Sequence, residues 1–154
     1  LGNQYSAWEE AKADILGLYM VCSLIDKGEI TSITKEDAVT TFIAGILRSV
    51  RFGAASAHGV ANMMCFNFFE DNKAFTKNQE GIYTIDYANA FKAINSWAAK
   101  ILEVEGTGDI EGAKAYSEKN GQIRPSLQET LDVINGKNIP KDIRYEQGKK
   151  VLGL

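Results

Sequence analysis

Apolar residues recur at intervals of three and four along most of the chain, the spacing of one face of an α-helix. The first stripe predicts a helix over residues 6–27 that ends at Gly28. Its inner positions are Trp8, Ala11, Ile15, Leu18, Cys22 and Ile25. Leu16, Met20 and Leu24 lie off this stripe. The second half of the helix is therefore apolar nearly all round, which is typical of a central, buried position.

Polar residues at the predicted helix starts have the chemistry of N-terminal caps. Ser6 and Glu9 fit a capping box, in which each side chain accepts a hydrogen bond from the other residue's amide. Thr34 starts a second helix that runs to about residue 50. Further helices are predicted over about 56–71, 86–103 and 109–120, and one more begins near Pro125.

The remaining segments have weaker patterns. Residues 81–84 predict a turn or a short extended segment. Alternation at Ile139, Ile143 and Tyr145 predicts irregular or short extended structure in the tail. The fold class predicted for residues 1–154 is therefore a single all-α domain, a multi-helix bundle with a buried central helix and minor extended segments.

Composition and charge exclude several classes of protein. The chain has 154 residues, of which 45% are apolar and 24% charged, the balance of one ordinary globular domain. Its 17 basic and 20 acidic residues give a net charge of −3, so no basic surplus indicates nucleic-acid binding. The longest uncharged apolar stretch covers only residues 15–25. A membrane span needs roughly 18 such residues, so we expect none.

Both cysteines, Cys22 and Cys65, lie inside apolar helical patterns. We expect two buried, reduced thiols, although the spacing alone leaves a disulfide open. The chain begins at Leu1 with neither a start methionine nor a signal peptide. We therefore expect it to be a piece of a longer protein.

Three carboxylates, Glu9, Glu10 and Asp14, occupy the first turns of the predicted central helix. Acids near a helix N-terminus are stabilised by the helix dipole by about 0.3–1 kcal/mol, so a purely structural role is one interpretation. Asp14 fits it poorly, because it lies deeper in the helix and apolar residues follow it. A carboxylate on a buried helix needs a partner such as a base, a histidine or a metal ion.

The single histidine, His58, follows four small residues that would let a ligand or backbone approach closely. It is either a structural residue or part of a site. A serine-hydrolase site is excluded, because no GxSxG sequence is present in the chain.

Three segments resemble the dipeptidyl peptidase III family of zinc metallopeptidases. The residues Glu9-Glu10-Ala11-Lys12-Ala13-Asp14-Ile15 resemble its EECRAE/EEARAD motif. The segment from Phe52 to His58 resembles the downstream helix that carries an active-site histidine. The sequence through Ile123-Arg124-Pro125 and residues 139–143 is similar to the C-terminal part of bacterial members, in particular those joined to a Nudix domain.

The resemblance implies a role for each matching residue. Glu10 corresponds to the glutamate that binds zinc together with two histidines of an HExxGH helix. Glu9 and Asp14 correspond to acids that hydrogen-bond those histidines from outside, which fixes the imidazole rings and raises their basicity. His58 corresponds to a histidine that stabilises the transition state or holds the peptide substrate.

The chain departs from the family in one decisive respect, because it contains no HExxGH and His58 is its single histidine. A catalytic zinc site usually has three protein ligands and a water. Together with the resemblance, which implies a cytoplasmic zinc peptidase, this predicts that the chain is the C-terminal part of the catalytic region of a longer protein. Alone it should be inactive and hold no metal, or at most an adventitious cation.

The face that carries Glu10, Asp14 and His58 should then border the missing N-terminal part of the same protein. We expect an open, partly apolar groove there, and self-association through this face is a further expectation. The alternative is a non-enzymatic helical interaction domain, in which the acids are caps and the histidine is structural.

Overall fold

The predicted apolar stripes form helices around one shared core. The computed structural model describes residues 1–142 and 145–153. Within these residues there are seven α-helices and one β-hairpin. In chain order they are α1 (Tyr5–Asp26), α2 (Lys35–Ser49), α3 (Ala57–Asp71), β1 (Phe75–Lys77), β2 (Tyr83–Ile85), α4 (Tyr87–Thr107), α5 (Ile110–Asn120), α6 (Pro125–Gly136) and α7 (Lys149–Leu152). The predicted all-α, bundle-like class is confirmed.

Helix α1 is the central element and packs against α2, α3 and α4. Its predicted inner residues Trp8 and Ile15 are completely buried. The Trp8 ring lies against Trp97 and Tyr116, and its Nε1 donates a 3.0 Å hydrogen bond to Ser117 Oγ. The core contacts of Trp8 thus connect α1 to α4 and α5, from the second half of the chain.

The outer side of α1 differs from the expectation of a helix buried all round. Met20 is 59% exposed and Leu24 is 39% exposed. The pattern correctly indicates an apolar surface, but none of the described elements covers this side of the helix.

The predicted capping box at Ser6 is wrong. A 3-10 turn over Gly2–Gln4 runs directly into α1, and Gln4 already has helical backbone angles. An N-cap residue needs extended backbone, so Ser6, one residue inside the helix, cannot act as one. The Glu9 carboxylate binds Lys12 instead.

The caps predicted at Thr34 and Asp109 are confirmed, and Ser56, at the predicted start of α3, is a further cap. Thr34 and Asp37 form both hydrogen bonds of a capping box at the start of α2. Ser56 and Asp109 cap α3 and α5, each accepting a hydrogen bond from the amide three residues further on. These helices begin where the sequence predicts because a cap depends on residues that are close along the chain.

The hairpin and the tail are only partly as predicted. The extended segment near residues 81–84 is the strand β2, which pairs antiparallel with an unpredicted strand, β1. Helix α4 continues about one turn beyond the predicted end at 103, until Gly108 adopts a left-handed conformation. Ile139 and Tyr145 have irregular structure, as expected, and a short helix, α7, follows this segment. The predicted alternating position Ile143 lies outside the described residues.

Both thiols are free and buried, which confirms that Cys22 and Cys65 are reduced. Burial raises the pKa of both thiols, most strongly for Cys65, which is fully enclosed. Neither is therefore poised as a nucleophile.

Among the described residues, no helix combines the length and the apolar character that a membrane-spanning segment needs.

Arg124 connects the start of α6 to the end of α3. Its Nη1 donates to Glu70 Oε2 at 2.8 Å and to Asp71 Oδ1 at 2.6 Å, and its Nη2 donates to Asp71 Oδ2 at 2.8 Å. The hydrogen bonds from Arg124 hold the pKa of Asp71 below its usual value. Such a two-point contact fixes orientation as well as distance.

We expect Arg124→Gln to lower the free energy of unfolding by about 1–2 kcal/mol at pH 7, because charge-assisted hydrogen bonds to partly exposed carboxylates are lost. The pKa of Asp71 is lower in the folded than in the unfolded protein, so this stabilisation is fully present above about pH 4. It is lost as the pH falls through the folded-state pKa. Urea unfolding at pH 7 and pH 3 should therefore show a smaller difference from the parent at pH 3.

The matched control is Lys92→Gln, which removes a positive charge from the exposed side of α4. It should leave stability within about 0.5 kcal/mol of the parent at both pH values. An Arg124→Gln effect of equal size at pH 7 and pH 3 would contradict the assignment to the Asp71 carboxylate.

Candidate functional site

Helices α1 and α3 bring Glu10, Asp14 and His58 together. Glu10 and Asp14 lie one turn apart on the same side of α1, and His58 lies in the first turn of α3. The His58 Nδ1 atom is 3.1 Å from Glu10 Oε2 and 4.0 Å from Asp14 Oδ2. Residues that are 48 positions apart in the sequence thus form one cluster of two carboxylates and an imidazole.

The cluster lies at the surface rather than in the core. The side chains of His58 and Glu10 are about half exposed, at 50% and 49%, while Asp14 is 33% exposed. Burial raises the pKa of Asp14, since it disfavours the charged carboxylate; His58 opposes this effect and Glu10 adds to it. A carboxylate with a raised pKa near an imidazole is a frequent feature of functional sites.

The turn that precedes α3 determines where His58 lies. Gly53 has a φ of +98°, which L-residues with a side chain rarely adopt. A Cβ atom on Gly59 would be 2.7 Å from the Gly53 carbonyl oxygen and 2.8 Å from Ala54 Cα. The backbone of Gly53 and Ala54 therefore packs directly against the backbone of Gly59 in the first helical turn of α3, next to His58.

Glu9 does not face this cluster. Its carboxylate binds Lys12, whose Nζ also donates to Glu105 Oε2 at 2.7 Å. The hydrogen bonds from Lys12 and, secondarily, from Tyr5 lower the pKa of Glu9. The structure thus unites three of the four predicted site residues, and the role expected for Glu9 stays a prediction.

Lys12 and Glu105 are the residues that the sequence analysis did not single out. The spacing of three between Glu9 and Lys12 is a local signal for an ion pair on a helix. Glu105, which is 93 residues away from Lys12, has no such signal, because its contact exists only through the packing of α4 on α1.

An open groove lies beside the cluster, although of the three cluster residues only Asp14 lines it. It runs between α1 and α2, has a volume of about 470 Å³, and is lined largely by apolar side chains, with Asp14 among its lining residues. Gly17 and Val21 continue this wall along α1, and Phe42 faces them from α2. A chain segment or a ligand therefore has access to Asp14 from this side.

The described residues fit only part of a zinc site. No group of three or more histidine, cysteine, aspartate or glutamate residues in this part of the chain is arranged to hold a metal ion. Glu10 is accessible, and one of its carboxylate oxygens contacts His58. It can offer a single oxygen ligand, whereas a catalytic zinc site usually has three protein ligands.

Comparison with known proteins identifies the class to which this arrangement is similar. No family model matches the chain. Two solved structures of dipeptidyl peptidase III share its fold over 92% of its length. The enzyme from Corallococcus sp. strain EGB has a TM-score of 0.86 at 35% identity, and that from Caldithrix abyssi has 0.84 at 28%. The resemblance predicted from the EEAKADI segment is confirmed.

The chain spans only a part of these proteins, 26% of the Corallococcus enzyme and 27% of the Caldithrix enzyme. A curated relative, Nudix hydrolase 3 of Arabidopsis thaliana, is 34% identical over 139 residues. That match covers 90% of the chain and 18% of the plant protein. It fits the predicted similarity to members joined to a Nudix domain.

We expect Lys12→Met to lower the free energy of unfolding by about 1–3 kcal/mol, because it leaves the largely buried Glu105 carboxylate without its cation. Glu105 is only 16% exposed, and its Oε1 is buried with no hydrogen-bond partner among the described residues. Urea unfolding at pH 7 measures the loss.

The double variant Lys12→Met/Glu105→Gln is the matched control, since it removes the uncompensated charge as well. It should be more stable than Lys12→Met alone. If the second substitution lowers stability further, the charge pair is not the source of the effect.

Proposed function

We propose that this chain is the helical part of a zinc-dependent exopeptidase of the dipeptidyl peptidase III type. The observation that carries the proposal is the contact between Glu10, Asp14 and His58, beside an open groove that Asp14 lines. It occurs in a fold that two solved structures of dipeptidyl peptidase III share. The expected reaction is hydrolysis of a peptide near its N-terminus, with release of a dipeptide.

Each residue of the cluster has a proposed role. Glu10 contributes one zinc ligand, since its carboxylate is accessible. Asp14, one turn further along α1, orients a zinc-binding imidazole that comes from outside this chain, and its partial burial strengthens such a hydrogen bond. His58 holds the substrate or stabilises the transition state, and its half-exposed ring leaves room for a peptide. Glu9 stays a second candidate for an orienting acid, although it binds Lys12 here.

The other zinc ligands have to come from outside these residues, in an HExxGH segment upstream in the same polypeptide. A zinc ion bound there would polarise the scissile carbonyl and lower the pKa of the water molecule that it binds. The protein's own contribution here is to hold the ligand, the orienting acid and the histidine at fixed positions. We further propose that the polypeptide is cytoplasmic and associated with a Nudix domain.

A non-enzymatic interaction domain is the second candidate function. The observation in its favour is the exposed apolar side of α1, with Met20 and Leu24 accessible. The DNA sequence upstream of the codon for Leu1 separates the two functions. An encoded HExxGH supports the peptidase, and an upstream reading frame without it supports the interaction domain.

We expect Glu10→Gln, made in the longer polypeptide, to lower the zinc content because one of three protein ligands is lost. Asp14→Asn should weaken zinc binding by about 10–100-fold, as the loss of an orienting hydrogen bond does in other zinc sites. Atomic emission spectroscopy and competition with a chelator measure the two effects.

Circular dichroism shows whether the fold is retained in each variant. Glu103→Gln, on the exposed side of α4, is the matched control and should keep the zinc of the parent. Unchanged zinc binding in a folded Glu10→Gln variant would refute the ligand assignment.

A further inference from the structure

Arg51 lies in the 3-10 turn Val50–Phe52, seven residues before His58. Its guanidinium binds three acceptors at the other end of the chain. Nε donates to Asn135 Oδ1 at 3.1 Å, Nη1 to the Pro140 carbonyl at 3.2 Å, and Nη2 to the Ile139 carbonyl at 2.7 Å. The Arg51 side chain thus links the C-terminal segment to the turn that precedes His58.

The neighbouring ring reinforces this attachment. The Arg48 and Lys141 cations lie 6.0 Å and 5.1 Å from the centroid of the Phe52 ring. Lys141 directly follows Pro140, so the same C-terminal segment contacts both Arg51 and Phe52. Cation–π contacts at such distances are attractive, although weak at an exposed position.

The C-terminal segment is itself anchored to the core. Leu127 and Leu131 of α6 are buried, and Arg124 ties the start of this helix to the end of α3. Asn135 lies near the end of α6, and the other two acceptors of Arg51 follow within four residues of that end. All three are therefore held by an anchored helix. Arg51 therefore connects the end of α6 to the turn before α3, while Arg124 connects its start to the end of α3.

The turn transmits this constraint to His58. Gly53 and Ala54 lie so close to Gly59 that no Cβ atom fits between them. Ser56 accepts a 3.1 Å hydrogen bond from the Gly59 amide and so fixes the residues on both sides of His58. A displacement of the turn would therefore move the imidazole relative to Glu10.

We propose that Arg51 is a positioning residue for His58: by binding Asn135, Ile139 and Pro140 it fixes the turn from which α3 starts and holds the imidazole against Glu10. The catalytic meaning of this position rests on the proposed function. The contact between the His58 and Glu10 side chains does not depend on the proposed function.

The test uses the single histidine of the chain, whose ring protons give NMR signals that need no further assignment. Glu10→Gln replaces the carboxylate that lies 3.1 Å from the ring, so it should change the chemical shifts of these protons in the parent chain. In an Arg51→Gln chain the same substitution should no longer change them, because the ring has left Glu10. Arg51→Lys keeps the charge but not the three-point geometry, and should restore only part of the response.

Two further variants make the result decisive. Lys92→Gln removes a cation from the exposed side of α4, outside the turn and the C-terminal segment, and should keep the full response to Glu10→Gln. A chain that ends after Asn138 removes two of the acceptors and keeps Arg51, and should lose the response. This shortened chain decides the question if Arg51→Gln loses its helical circular dichroism.

An unchanged response to Glu10→Gln in the folded Arg51→Gln or shortened chain would overturn the proposal. The ring signals report the contact and not the metal. Zinc binding that does not depend on Glu10 would therefore refute the proposed function and leave this experiment intact.

Discussion

Trp8 and Ile15 are completely buried on the inner side of α1, and their burial fixes the rotation of that helix about its axis. Burying two such side chains contributes about 1.5–3 kcal/mol each, far more than any surface contact of the same helix. Successive residues advance by about 100°, so Glu10 and Asp14 then emerge on the side that faces the start of α3. The geometry of the candidate site is thus a consequence of the core.

Local features of the fold were predictable because their causes are local. The caps at Thr34, Ser56 and Asp109 depend on residues within one turn, and each helix begins where the pattern predicts. Ser6 shows the limit of this reasoning. The same residue types are present, but the preceding 3-10 turn makes the backbone helical before Ser6 is reached.

The candidate site was predictable only in part. The spacing of Glu10 and Asp14 places them on one side of a helix, which follows from helical periodicity alone. That His58 meets them followed from the resemblance to a family and not from periodicity. Glu105, the distant partner of Lys12, and the three partners of Arg51 lie 84 or more residues away along the chain. No local pattern specifies them, because they exist only when separate helices pack together.

Gly59 has a consequence for how related sequences should be compared. Its backbone lies against Gly53 and Ala54 with no room for a methyl group. Selection would therefore retain glycine at position 59 whether or not the protein is an enzyme. An unchanging glycine directly after the histidine would then record steric necessity, and counting it as a mark of peptidase ancestry would be an error.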